Sequence, residues 1–451
     1  MKKGLWILEI FILTLFVTNL SWAGNSGGSD PEWSIIYYLA ADNDQEAFAD
    51  NTINQLIAGT DDVSNHPEIL VLLDRLSDPG TEIFRISGGM VLPLASFPEQ
   101  NTADATVLQD FATYALDLAE HEKVAFVMKS EGLAWRGIGR DNTHADDIDD
   151  QLMTNGALAE ALVTAQSDTS RNLDLLVLEG SIMAFMEVVY ELRDVAPVLL
   201  ASQSKIQPDG LPWKMVIEDL GATPGMSAKE LGITITDNHI EYYSDKGNNG
   251  VPRFDTSTNF AAMTVFDMPN IYDARDAHME WAQTTWLLFD EIYNILPHAR
   301  DLSEVGGFGE ITEFDYNFDI ETFMIEGLRL IDEAGLSFAD LTATVESYLA
   351  EQDKLILYEK NPADGFKLNA ARGLSIWYPP SWNKIDTRDE NDETFGSTMY
   401  YEDSEIDLDW IADSNWLTYL YEYFDRADAN LAGNGPEGDE PPKKGVFDRI
   451  N

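Results

Sequence analysis

Two largely apolar runs of strand length end on residues that could do chemistry. The first, from Val124 to Met128, leads into Lys129-Ser130-Glu131-Gly132. The second, from Leu173 to Leu178, leads into Glu179-Gly180-Ser181. In an open α/β sheet, ligands gather at the carboxyl ends of strands, so both segments sit where a reaction could occur. A serine hydroxyl attacks a carbonyl only when a neighbouring base takes its proton. Glu131, with an ordinary pKa of about 4.3, is a weak base for that task. Two carboxylates held close raise one another's pKa. Ser181 with Glu131 and Glu179 therefore has the residue types of a serine-carboxyl peptidase working at acidic pH. The same residues fit a non-catalytic reading, in which Glu131 is a strand-end carboxylate and Ser181 caps a helix that starts just after it. Of the six histidines, only His144 lies in the loop that follows the first segment, and no motif surrounds it. The chain has no cysteine, so no thiolate is available.

The wider context of these segments resembles a known family. Ser130-Glu131-Gly132 is followed by Trp135-Arg136, and Glu179-Gly180-Ser181-Ile182-Met183-Ala184 by Glu187-Val188-Val189-Tyr190-Glu191-Leu192-Arg193. The opening run from Trp33 ends in Ala40-Ala41-Asp42-Asn43, and Val71-Leu72-Leu73-Asp74-Arg75 follows it. Gly373-Leu374-Ser375-Ile376-Trp377-Tyr378-Pro379 and a segment beginning Asn415-Trp416 come late. In that order, from about residue 32 to 425, these motifs resemble the clostripain-like cysteine peptidases. The family carries Asp-His-Gly and then Trp after the first strand, and Asp-Ala-Cys-Leu-Met-Ala after the second. On that match Glu131 stands at the position of the family's histidine base and Ser181 at that of its nucleophilic cysteine. The resemblance implies a caspase-like α/β core, a cleft for polypeptide and a preference for Arg or Lys side chains. Glu179 or Asp209 would supply the carboxylate for such a side chain, and Trp135 would line the cleft. With both catalytic positions changed, the reading is a pseudopeptidase that binds polypeptide or acts as a scaffold. The serine-carboxyl peptidase and a structural envelope protein stand as alternatives.

The run Asp141-Asn142-Thr143-His144-Ala145-Asp146-Asp147-Ile148-Asp149-Asp150 is dense in oxygen donors. It could take calcium, although the spacing is not that of an EF-hand, and a solvated charge run explains it as well. No other cofactor is implied.

The elements that must position these residues can be read from periodicity. Strand-length apolar runs fall at residues 33–40, 68–74, 81–87, 123–129, 173–178 and 197–202. Helical patterns fall at 44–57, 105–118, 157–165 and 182–193. Near-continuous apolar strands divided by amphipathic helices predict a mostly parallel sheet with helices on both faces. Asp78-Pro79-Gly80 predicts one antiparallel excursion. Residues 32–245 are expected to form this domain, which the resemblance implies is caspase-like. After the turn-rich segment at 245–250, helices at 269–296, 320–333 and 338–349, a strand at 373–379 and a closing helix after Asp413 predict a smaller C-terminal α/β domain over 246–427. Residues 428–451 read as a flexible tail and 24–31 as a linker.

Residues 1–23 read as a signal peptide: Lys2 and Lys3, an apolar run from Ile10 to Val17, and Ser21-Trp22-Ala23 before the cut. The protein is thus expected to be exported, to the periplasm or beyond, with no membrane span after cleavage. Asp and Glu number 80 against 28 Lys and Arg, a net charge of −52 in 451 residues. A field of that sign excludes nucleic acid and anionic membrane as partners and favours basic polypeptides.

Charge of this size strains the folded chain in dilute buffer. The Debye length shrinks from ~30 Å at 0.01 M salt to ~3 Å at 1 M. The melting temperature should therefore rise between dilute buffer and molar sodium chloride, with the acidic segments 141–150 and 386–393 contributing. A flat or falling melting temperature would show that the charges are already paired or too far apart to matter.

Overall fold

The computed structural model describes residues 31–61, 63–144, 152–207, 209–244, 262–305, 317–361, 370–379, 401 and 408–432. The expected signal peptide, linker residues 24–30, segment 386–393 and residues 433–451 of the expected tail lie outside them, as do residues 145–150 of the acidic loop, while residues 428–432, expected in the tail, end the last helix.

Nine strands make one sheet: β1 (Trp33–Ala41), β2 (Glu68–Arg75), β3 (Asp78–Ser87), β4 (Met90–Pro98), β5 (Lys123–Lys129), β6 (Leu175–Glu179), β7 (Val198–Ser202), β8 (Met263–Asp267) and β10 (Ile356–Lys360). Their order is β10-β8-β7-β6-β5-β1-β2-β3-β4. The five central strands, β2-β1-β5-β6-β7, are parallel. Antiparallel strands close both flanks: β3 and β4 on one, β8 and β10 on the other. The chain leaves β1 toward β2 and later returns to its other side through β5, so the topological switch point lies between β1 and β5.

Side chains on a strand alternate between faces, and β1 sorts cleanly. Ile35, Tyr37 and Leu39 pack with α1 (Glu46–Asp61), α5 (Trp213–Ala222) and α6 (Ala228–Ser244). Ile36, Tyr38 and Ala40 face α2 (Ala105–Leu118), α3 (Asn155–Thr169) and α4 (Met186–Glu191). Burial on both faces explains why the central strands read as near-continuous apolar runs. The excursion expected at Asp78 is β3, and it continues into β4. Sequence reading missed β4 because Pro93 and Pro98 argue against a strand. They are tolerated because β4 is the sheet edge, where Met90, Val91, Leu92, Leu94 and Phe97 are exposed.

The helix expected at 182–193 is shorter, beginning at Met186. Residues 182–185 use their backbone elsewhere. Ile182 N donates to Ser204 O, Ala184 N to Ser202 O, and Ser375 N to Ala184 O. These bonds tie the segment to the end of β7 and to β11 (Ser375–Trp377), which pairs with β9 (Asn317–Asp319) in a small second sheet. The helix expected at 269–296 is broken into α7 (Ile271–Leu287), α8 (Phe289–Ile292) and the start of α9 (Leu296–Ser303), with a proline in the first turn of α9.

The separation expected at residue 246 is crossed by the sheet itself, because β8 and β10 extend it. One apolar cluster also runs from β1 through α10 (Ile320–Glu333), α11 (Ala339–Leu355) and α13 (Trp416–Ala432). Helix α4 is the joint. Glu187 accepts hydrogen bonds from Trp377 N (3.1 Å) and the Tyr401 hydroxyl (2.9 Å). Glu191 accepts from Trp410 N at 3.0 Å, at the start of α12 (Asp409–Asp413). The Tyr190 hydroxyl donates to Asp413 and accepts from Arg275 on α7, and Arg193 pairs with Asp409.

A second buried interaction fixes the centre. Lys129 and Glu179 are the last residues of neighbouring strands β5 and β6, in register, with Nζ and Oε1 2.6 Å apart and both side chains almost fully enclosed. Removing one partner leaves an uncompensated buried charge. Lys129→Met should therefore cost about 3–5 kcal/mol in urea denaturation, and Lys129→Met with Glu179→Leu should recover part of that. Additive losses in the double variant would refute the coupling.

Burial pushes Glu187, Glu191 and Asp319 each up to about 7. A folded-state pKa above the unfolded value means the folded protein holds the proton more tightly. The stability these groups contribute is fully present below the ordinary carboxylate range and lost as pH rises through about 7. Thermal midpoints should fall over that window, less steeply in Glu187→Gln, whose amide oxygen can still accept from Trp377 N. An identical pH slope in wild type and variant would overturn the assignment.

Candidate functional site

The carboxyl ends of β1, β5 and β6 meet at the switch point, and backbone crowding there is severe. A Cβ at Gly132 would lie 2.6 Å from Ser181 O, and one at Gly180 would lie 3.2 Å from Ser130 O. Glycine at both positions lets the two strand-end turns touch. Residues 130–132 and 180–182 are thus brought together, one to three residues beyond the Lys129–Glu179 pair. Ile182 holds a left-handed backbone, φ +53°, and so does Ala134 at φ +52°. For a β-branched residue this conformation is strained, and such strain collects at functional sites.

Each candidate residue has a definite place. The half-exposed Glu131 forms an ion pair with Arg140, Oε2 to Nη1 3.0 Å. The half-buried Ser181 accepts a hydrogen bond on Oγ from Ile206 N at 3.2 Å. It is not the helix cap the sequence allowed, since α4 starts five residues later. Glu179 is enclosed and its lone pairs are taken. Oε1 accepts from Lys129 Nζ and from Leu211 N (3.0 Å), and Oε2 from the Tyr37 hydroxyl (2.6 Å) and Trp213 Nε1 (2.8 Å). The expectation that Glu179 receives a basic side chain of a ligand is corrected by this saturation. Trp135 is also corrected as a cleft-lining residue: it is buried against Trp377 and Tyr401, ring centroids 5.6 and 5.0 Å away. Asp209 remains half-exposed, with one oxygen 3.5 Å from Asn51 Nδ2. It stands beside Gly210, where a Cβ would lie 2.1 Å from both Glu179 Oε1 and Lys129 Nζ. A half-exposed carboxylate therefore stands next in sequence to the glycine that packs on the buried pair.

No imidazole hydrogen-bonds Ser181 or Glu131 among the described residues. His144 is held by Asp141, Nδ1 to Oδ1 3.3 Å. His239 and His278 are buried, and burial pushes both down to about 3, so they are neutral at working pH. His278 sits among the rings of Trp281, Tyr348, Trp410 and Trp416.

Three residues that sequence reasoning did not single out organise the site. Tyr37 and Trp213 cap Glu179, as above. Asn43, after β1, donates from Nδ2 to Ala40 O, Arg140 O and Ser130 Oγ at 3.0, 2.7 and 3.3 Å. It joins the β1 turn to both sides of the Glu131 segment. The Ala-Ala-Asp-Asn turn was visible in the sequence, but its reach across the switch point required the sheet order. Chemically, the arrangement offers a serine hydroxyl that accepts a backbone amide and a carboxylate paired with an arginine.

Comparison with known proteins agrees with this architecture. The clostripain family model matches residues 37–278, more than half of the chain. No curated protein sequence matches. Among solved structures, a secreted C11 cysteine protease from Bacteroides thetaiotaomicron, in complex with an irreversible peptide inhibitor, is similar with a TM-score of 0.60 at 17% identity. The match covers 86% of this chain and 99% of that one. An inactive zymogen C11 protease from Parabacteroides distasonis gives 0.58 at 15% identity, covering 86% and 99%. At such identities the likeness is one of fold, a mostly parallel caspase-like α/β sheet. Membership rests on the matched stretch, which runs from β1 through both strand-end turns into α7, and on that ground the chain belongs to the clostripain family.

Proposed function

We propose that this protein is an exported clostripain-family pseudopeptidase that binds polypeptide at the carboxyl ends of β5 and β6 without cleaving it. The observation that supports this most directly is the pairing at the two strand ends. Glu131 is engaged with Arg140, and Ser181 Oγ accepts a backbone amide. A thiolate–imidazole couple requires Cys and His, and the chain has no cysteine. Loss of such members commonly lowers rates by on the order of 10⁴ to 10⁶. The serine-carboxyl alternative loses its second acid, because Glu179 has no open oxygen. Export rests on the leader-like first 23 residues. No helix among the described residues is long and apolar enough to cross a membrane, which is compatible with that reading. Asp209 is the carboxylate left to attract a Lys or Arg side chain, and the net charge favours basic segments generally.

The purified mature chain, incubated with a library of Arg- and Lys-containing peptides between pH 3 and 8, should release no product above buffer. It should bind basic peptides, and Asp209→Asn should weaken that binding about tenfold, a loss of about 1.4 kcal/mol. Turnover that disappears in Ser181→Ala would sink the pseudopeptidase reading. Equal peptide affinity in wild type and Asp209→Asn would remove Asp209 from it. Glu131→His with Ser181→Cys should place an imidazole beside a thiol and restore partial cleavage.

A further inference from the structure

Lysine is rarely buried, yet the Lys129 side chain is only 3% exposed. Among the described residues its ammonium has one hydrogen-bond partner, Glu179 Oε1. Glu179 does not depend on Lys129 for its position. Three other donors hold the carboxylate: the Tyr37 hydroxyl and Trp213 Nε1 on Oε2, and Leu211 N on Oε1. Those donors brace one another. Trp213 Nε1 also reaches the Tyr37 oxygen at 3.1 Å, and the two rings meet edge to face with centroids 5.5 Å apart. Gly210 packs directly on Nζ. Its φ is +75°, and a Cβ there would collide with the ammonium, so both conformation and contact require glycine. The Tyr243 hydroxyl on α6 ties Gly210 down by donating to its carbonyl at 2.7 Å. The surroundings of the ammonium thus come from β1, β6, α5, α6 and the loop between β7 and α5, all apart from the strand that supplies Lys129.

From this geometry we propose that Glu179, Tyr37, Trp213 and Gly210 form a receptor for a primary alkylammonium group, which the chain fills with its own Lys129. The donors that hold Glu179 remain when Lys129 is cut back, so the carboxylate keeps its place. A preorganised acceptor of this kind binds a fitting group without a reordering cost. Left without its lysine, the buried anion lacks a counter-charge and must take up a cation or a proton. The imidazole beside Lys129 does not supply one. Burial, and after it the Lys129 charge, push His239 down to about 3 and keep it neutral. The pocket selects an ammonium over a guanidinium. Arginine binds a carboxylate as a planar fork on two oxygens, and here Oε2 is occupied by Tyr37 and Trp213. Only Oε1 meets the cation, which suits the compact point charge of a lysine-like group.

One loop joins this pocket to the strand-end turns. Ile206 N bonds Ser181 Oγ, Gly210 packs on Nζ, and Asp209, between them in sequence, is half-exposed. While Lys129 is in place, a basic side chain of a peptide reaches Asp209 but not Glu179, so the wild type should treat Lys and Arg peptides alike. With the pocket vacated, Lys peptides should gain over Arg peptides. This consequence rests on the polypeptide binding proposed above, whereas the ammonium pocket itself does not.

The test is chemical rescue of the full mature chain. Lys129→Ala removes three methylenes and the ammonium, which is the outline of n-propylammonium. Wild type, Lys129→Ala, Lys129→Met, and Lys129→Ala with Glu179→Gln are titrated with n-propylammonium chloride at neutral pH, by calorimetry and by melting temperature. Sodium chloride of equal ionic strength and n-propanol are the controls. Lys129→Ala should show one saturable site, at least tenfold tighter for propylammonium than for propanol, and a rise in melting temperature beyond that in sodium chloride. Wild type and Lys129→Met, whose pockets are filled, should show no such site, nor should the form without the carboxylate. Should Lys129→Ala lack the wild-type circular dichroism spectrum, its recovery with propylammonium but not with propanol or sodium chloride makes the same comparison. Equal effects of propylammonium and propanol would mean an apolar hollow and overturn the proposal. No effect of either would mean that the hollow collapses or that Glu179 takes a proton, and would overturn it too. Rescue by propylammonium in a protein that binds no Lys peptide, with or without Lys129, upholds the pocket and removes the polypeptide reading.

Discussion

The pairing of Lys129 with Glu179 is the constraint from which the rest of the centre follows. A buried carboxylate needs every lone pair answered. Here the answers come from four parts of the chain: Lys129 on β5, Tyr37 on β1, Trp213 at the start of α5, and the backbone of Leu211. One strand order and one register satisfy all four. Once β1, β5 and β6 are fixed against one another, the turns that follow have little freedom, and Gly132 and Gly180 let them lie in contact. The strained backbone of Ile182 is held by its bond to Ser204 O and by the neighbouring ties of Ala184 to Ser202 and Ser375. The geometry of the strand ends is thus a property of the sheet, independent of the side chains at 131 and 181.

The second half of the chain reaches this centre through α4. That helix is only six residues long, too short to be stable alone. It persists because its carboxylates cap foreign backbone amides: Glu187 serves Trp377 N and Glu191 serves Trp410 N. Late segments are therefore built into the same cluster as the sheet. The aromatic packing of Trp135 with Trp377 and Tyr401 extends that junction to the turn after β5.

Much of this was legible in the sequence. The central strands could be placed within two residues because burial on both faces removes polar interruptions. The two strand-end motifs were legible as neighbours through the family resemblance, and neighbouring parallel strands open on the same edge of the sheet. Other features were not. β4 carries prolines and exposes apolar residues, so its composition contradicts its conformation. Helices α5 and α6 were not picked out, and Trp213 with them. The roles of Glu179 and Trp135 depended on what encloses them, and no linear pattern encodes enclosure.

The exposed apolar edge of β4 has a colloidal consequence. Met90, Val91, Leu92, Leu94 and Phe97 are exposed apolar side chains on a strand that pairs with β3 on one side and is the sheet edge on the other, a surface that invites pairing with another sheet. In dilute solution the large like charge on every molecule holds neighbours apart, and Pro93 removes one edge donor. Ions that relax repulsion within a molecule also thin the repulsion between molecules. The two distances are screened together, so the ionic strength at which the fold is most comfortable is also where copies approach most freely. At the outer edge of β4 the acidity of the chain thus acts as a spacer between copies.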